Sequence, residues 1–147
     1  MVSLWSVLLL AHLIGLALGV GSATAKVVLL LKCRRDINFL PVYLRVMKPL
    51  TQILVSGLIL MTLTGIIWLI LGYGFNNLLI VKLFFVGGVW IVGIYIDNVT
   101  EPSFKKLAPA EGQAATVDFL QIQRKHLIFE IVGALLFYII MVLGVLL

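Results

Sequence analysis

Apolar residues gather along the chain into four long blocks, spanning roughly 4–31, 51–72, 78–96 and 127–147, with short polar stretches between them. Each block has about 20 or more residues, the length that crosses a hydrocarbon core as a helix. Acidic and basic residues are almost absent inside the blocks. The exceptions are Lys26 near the end of the first, Lys82 in the third and Glu130 near the start of the fourth. The pattern predicts an all-α membrane protein, a single four-transmembrane-helix bundle covering 1–147. Its first partner is therefore the lipid bilayer.

The polar stretches set a direction. Lys32, Arg34, Arg35, Arg45 and Lys48 follow the first block, and Lys105, Lys106, Arg124 and Lys125 follow the third. The link from Tyr73 to Asn77 carries no charge. By the positive-inside rule the two basic loops face the cytoplasm and both termini face outward. Ala23-Thr24-Ala25 looks like a signal-peptide cleavage site, but no basic region precedes it and the apolar run is long, so the first helix is expected to be retained. Pro41 and Pro49 are expected to break the first basic loop. The second, about Asp97 to Lys125, is expected to end in a stretch that extends the fourth helix inward.

Composition agrees. Of 147 residues, 63% are hydrophobic and 12% charged, an excess of apolar side chains that one small soluble core cannot hide. The net charge of +5 lies on loops between apolar spans, which argues against a nucleic-acid surface. A lone cysteine, Cys33, excludes an intrachain disulfide and a cysteine-based metal cluster. P-loop, G-x-G-x-x-G and H-E-x-x-H patterns are absent.

Small residues recur at intervals of four on the first helix. Ala11, Gly15, Gly19 and Ala23 form one row, and Ala17, Gly21 and Ala25 a second beside it. Such rows let helix backbones approach closely in lipid, and one of them can equally offer a bare face to a flat cofactor. Trp5 and Trp68 are placed as interfacial anchors on the outer side.

Ionisable groups inside a span cost about 2.5–3.5 kcal/mol at the centre on insertion scales, so each needs a reason. Lys26 and Lys32 are expected to snorkel to the inner surface. At about 1.5 Å per residue, His12 lies within roughly 5 Å of the midplane and Lys82 roughly 7 Å to its outer side, so the two can meet. His126 lies roughly 15 Å or more inward, too far from His12 for both to hold one haem iron. His12 is thus the histidine that most needs an explanation. It can hydrogen-bond a Ser or Thr across helices, serve as an axial metal ligand or relay protons. Glu130, four residues after His126, is expected to pair with Arg45, Lys48 or Lys26.

The stretches HLIGLALGVGSATAKVVLLLKCRRD, TLTGIIWLI, LLIVKLFFVGGVWIVGIYID and RKHLIFEIVGALLFYII together resemble a superfamily of small bacterial membrane proteins. It includes an uncharacterised group of integral membrane proteins, the CopD-like copper-resistance proteins and the HemJ-type protoporphyrinogen oxidases. The resemblance runs over nearly the whole chain through short motifs. HemJ-type proteins carry a histidine in the first helix, a lysine opening the third and an acidic residue early in the last, and His12, Lys82 and Glu130 match those places. It implies haem b, with His12 as metal ligand, Gly15 and Gly19 beside it as cofactor-binding residues, and Lys82 and Glu130 as catalytic residues. In place of the NE-x-P of the last helix stands Phe129-Glu130-Ile131-Val132, without its Asn or Pro. Four scattered methionines give no soft-ligand site for copper.

The expected function is a haem-b membrane redox protein that acts on a porphyrin or exchanges electrons with quinone. The alternative is a structural or accessory subunit of a larger membrane complex. Either would work as a homo-oligomer or as a subunit, and no nucleic acid is involved.

Overall fold

A computed structural model describes residues 2–146. Leu147, the last residue of the expected fourth span, and Met1 lie outside the described residues. The chain runs α1 (Leu4–Arg35), a 3-10 turn (Ile37–Phe39), α2 (Leu40–Ile70), α3 (Asn77–Tyr95), a π-turn (Ile96–Thr100), α4 (Glu101–Leu107) and α5 (Val117–Leu146). The architecture is an all-α four-helix bundle. Four helical segments are long and apolar enough to cross a membrane, with α3, the π-turn and α4 forming one of them. This is a multi-pass membrane protein whose apolar outer faces meet lipid.

The helix ends follow from their sequence. Ser3 caps α1 by accepting from the Ser6 N–H. Asp36 stops α1 in an extended conformation, and its carboxylate caps the 3-10 turn through the Asn38 N–H. Asn76 caps α3 by accepting from the Leu79 N–H at 2.7 Å. Beyond α2, Gly72 turns left-handed at φ +92°, and the Gly72 and Tyr73 N–H groups donate to the Leu69 and Trp68 carbonyls. That closure is a Schellman motif, and its usual apolar contact is made here by Tyr73 stacked on Trp68.

The first basic loop is mostly helix, contrary to expectation. Pro41 occupies the first turn of α2, where its missing N–H costs nothing. Pro49 lies inside α2 and does not end it. Its ring removes only the hydrogen bond to the Arg45 carbonyl, and Arg45 and Pro49 are both exposed at the basic end of the bundle. The segment from Asp97 to Leu107, expected in a loop, is helical as well. The inward extension of the last helix agrees with α5 starting at Val117.

Packing is unequal around the bundle. α1 lies against α2 and α5, and α5 against α3, whereas α2 and α3 meet at few points. A long seam therefore runs between α2 and α3, bridged by the Trp90 indole N–H donating to Thr62 Oγ1 at 3.2 Å. The α1–α2 contact is backbone on backbone. A methyl at Gly57 would stand 2.6 Å from the Gly15 carbonyl, and one at Gly15 would stand 2.8 Å from the Gly57 carbonyl. At the basic end Tyr43, Met47, Phe104 and Phe119 form a fully buried aromatic core with Leu30 and Cys33.

Candidate functional site

Two polar regions lie inside the bundle, one toward each end. The first surrounds His12. Its Nδ1 is 2.8 Å from Thr64 Oγ1. That hydroxyl has one proton and lies 2.8 Å and 3.0 Å from the Leu60 and Met61 carbonyls, which can only accept. Thr64 therefore donates backward to its own helix and accepts from His12 Nδ1–H. In the neutral ring this puts the lone pair on Nε2, which has no hydrogen-bond partner among the described residues. The ring packs on Trp68 with centroids 5.0 Å apart, and Trp68 stacks in turn on Tyr73.

His12 lines a chamber of about 570 Å³ walled by α1, α2, α3 and α5, with the α2–α3 seam on one side. Its walls are mostly apolar, from Leu13, Leu16, Leu69 and Val86 among others, and Lys82 lies on the same chamber. The structure thus brings His12 and Lys82 to one cavity. The Lys82 ammonium reaches across to α5, where a methyl on Gly144 would be 3.5 Å away. Lys82 makes no ion pair with any described residue. Trp68 Nε1 is sealed from solvent and has no acceptor among the described residues.

Gly15 and Gly19 take a different part from the one expected. A methyl on Gly19 would sit 2.6 Å from the Phe137 ring, and Gly15 is pressed against Gly57 and Met61. Their face is consumed by helix packing, so no bare bed for a flat ring remains along that row.

The second region lies at the basic end. Lys26 does not snorkel; it is 2% exposed and its ammonium turns inward. It stands 2.6 Å from Glu130 Oε1, 3.0 Å from Thr51 Oγ1 and 3.7 Å from Glu101 Oε2. Of the three cations expected for Glu130, the structure selects Lys26. Arg45 and Lys48 are exposed. The contact is a close ion pair rather than a well-directed hydrogen bond. Thr51 also donates to Glu101 Oε2 at 3.4 Å, and the half-exposed Lys105 lies 3.5 Å from Glu101 Oε1.

His126 belongs to this region and is fully buried, more enclosed than His12. Its Nδ1 is 3.0 Å from Thr100 Oγ1, its Nε2 3.1 Å from the Tyr43 hydroxyl and 3.6 Å from Glu130 Oε1. The π-turn sets Thr100 there: one extra residue in the turn swings Thr100 and Glu101 inward, ahead of Pro102. Both nitrogens of His126 are thereby engaged. Along α2, Tyr43 and Thr64 mark the levels of the two histidines, about 30 Å apart at 1.5 Å per residue.

Sequence reasoning misses Trp68 and Tyr73 as chamber residues, Thr64 as the partner of His12, and Thr51, Thr100 and Tyr43 as partners of the second region. Trp68 reads as an anchor and Thr64 as bonded to its own helix. Only the spacing of Thr64 opposite a histidine-bearing helix would have hinted at more. Among the described residues no three His, Cys, Asp or Glu side chains converge as a metal ligand set. Compared with known protein families, curated proteins and solved structures, the chain matches none of them.

Proposed function

We propose that the chain is a membrane redox protein of the bacterial inner membrane that would hold haem b in the His12 chamber, with His12 as the residue that would bind its iron. The observation that carries this reading is a histidine fixed by Thr64 on one nitrogen and open on the other, beside a largely apolar chamber of about 570 Å³. Ligand pockets run from about 300 to 1,000 Å³ and are mostly apolar with a few placed polar groups. A ligating histidine characteristically donates its second ring N–H to a neighbouring acceptor, which sets its tautomer and orientation. A bare ion finds no ligand set here, but a metal already held by a macrocycle needs only one or two protein ligands.

When bound, haem b supplies one-electron chemistry. The chain's own residues do the rest. Thr64 holds the imidazole. Lys82 offers an ammonium to a propionate carboxylate, and the Trp68 ring backs the imidazole. The α2–α3 seam gives a quinone or a porphyrin a lateral route from the bilayer. Glu130 stands apart from this chamber, at the basic end, so a direct part for it in the same chemistry is not supported.

An absorption spectrum of the purified protein, oxidised and reduced, tests the reading. A haem signal that His12→Ala abolishes supports it. A colourless protein that takes up no added haem overturns it. A second reading, an accessory subunit of a larger complex, draws on the Ala17, Gly21 and Ala25 row, since nothing lies within 4 Å of a methyl built on Gly21. Native mass measurement in mild detergent discriminates: a stable lone oligomer that retains haem favours the first reading.

A further inference from the structure

The group at the basic end holds a charge imbalance inside the membrane-spanning bundle. Lys26 is its one buried cation, and it touches two carboxylates, Glu130 at 2.6 Å and Glu101 at 3.7 Å. Glu101 and Glu130 are both buried. One positive and two negative charges leave a net negative charge where desolvation is costly. Lys105 relieves Glu101 only from the surface, and the exposed Asp97 adds a further negative charge.

Beside the cluster lies a cavity of about 110 Å³ with mostly apolar walls, to which Lys26, Thr51, Asp97 and Glu130 contribute polar side chains. That is room for a few water molecules among polar partners. Asp97 places the cavity next to an exposed carboxylate at the basic end. Glu130 and Asp97 thus line one cavity, the first buried and the second exposed.

We propose that this cluster is a proton-binding site, in which Glu130 takes up one proton from the basic side while Lys26 shifts its pairing to Glu101. The proton comes from water, and the only bond formed is O–H on the Glu130 carboxyl. Lys26 lies within reach of both carboxylates but carries one charge, so it neutralises one at a time. With the proton on Glu130 and the ammonium on Glu101, the buried group is neutral. His126 completes the site. With the Thr100 hydroxyl directed to the Ile96 carbonyl at 3.4 Å, Nδ1 carries the ring proton and Nε2 faces Glu130 as an acceptor at 3.6 Å. Tyr43 donates to the same nitrogen.

Lys26 of α1 and His126 of its own helix face Glu130 directly, and around them stand Tyr43 and Thr51 of α2, Asp97 and Thr100 of the π-turn, and Glu101 and Lys105 of α4. None of this rests on haem or on the His12 chamber.

Infrared difference spectroscopy of the full chain in lipid nanodiscs, stepped from mildly alkaline to acidic pH, reads the carboxylic-acid C=O band directly. The expected result is a band that grows as pH falls and that Glu130→Gln removes. Glu101→Gln frees Lys26 to stay on Glu130, so the band should appear about one pH unit lower, a roughly tenfold loss of proton affinity. A purely structural ion pair predicts no such band over that range. Absence of any band sensitive to Glu130→Gln overturns the proposal, as does a midpoint that Glu101→Gln leaves in place. Should Glu130→Gln fail to fold, the Glu101→Gln shift alone decides.

Discussion

Each end of the bundle buries a histidine and a lysine, yet the two ends treat them in opposite ways. At the basic end, Lys26 and His126 are sealed, and every polar atom of theirs has a neighbour: two carboxylates, Thr51, Thr100 and Tyr43. In the chamber, His12 has a single hydrogen bond and Lys82 is half-buried without an ion pair to any described residue. Trp68 Nε1 adds a donor with no acceptor there. Buried polar groups are normally satisfied, so the two regions differ in how much of their polar chemistry the described residues account for. The first arrangement fits the exchange of a charge proposed for Lys26, the second the ligand proposed for the chamber.

The comparison breaks most sharply at Lys26. Lys26→Met leaves two buried carboxylates without their cation and should cost about 3–5 kcal/mol, read as lost unfolding free energy in bicelles. Lys82→Met, on the chamber, should cost far less stability, because no internal partner is orphaned. Equal losses would erase the distinction.

A methyl or more at Gly57 tests the shared scaffold. Gly57→Val should destabilise by about 1–3 kcal/mol, because the α1–α2 backbones must separate. It should also lower haem uptake, since Thr64 and His12 sit across that same contact. Unchanged stability would show that the close approach is not required.

Thr64→Val and Thr100→Val form a matched pair. Each removes an acceptor from a histidine Nδ1–H, worth about 1 kcal/mol. Thr64→Val should in addition weaken haem binding about 10- to 100-fold, by loosening the ring. Thr100→Val should leave haem binding alone. A titration of added haem against both variants separates them.

The smallest effect is expected at the seam. Trp90→Phe removes the bond to Thr62 that bridges α2 and α3, worth about 0.6 kcal/mol between membrane helices. Faster haem exchange with little change in stability would mark the seam as the lateral entrance.

Much of the fold was legible because lipid imposes a simple demand. A span must be long, apolar and helical, and four blocks of the chain met that condition. The row of Gly15 and Gly19 also announced a close contact, though not that Gly57 and Phe137 would fill it. Loops were read less well. Pro49 reads as the first turn of a new helix, but it lies inside α2, where a proline on the exposed side gives up only one hydrogen bond. Lys26 reads as a snorkelling residue because its helix ends nearby. Whether a lysine turns out or in depends on what faces it, and Glu130 and Glu101 come from elsewhere in the chain.

From the sequence alone came the four apolar spans, the basic stretches between them and the similar levels of His12 and Lys82 along their helices. These rest on composition and on the constant rise of a helix. Tertiary structure alone decided which nitrogen of His12 is held by Thr64, that a chamber opens along the weakly packed α2–α3 seam, and that Lys26 is divided between two carboxylates. Those outcomes depend on helix rotation and on partners up to about a hundred residues distant, and the apolar pattern of a membrane span constrains rotation weakly because lipid accepts any apolar face.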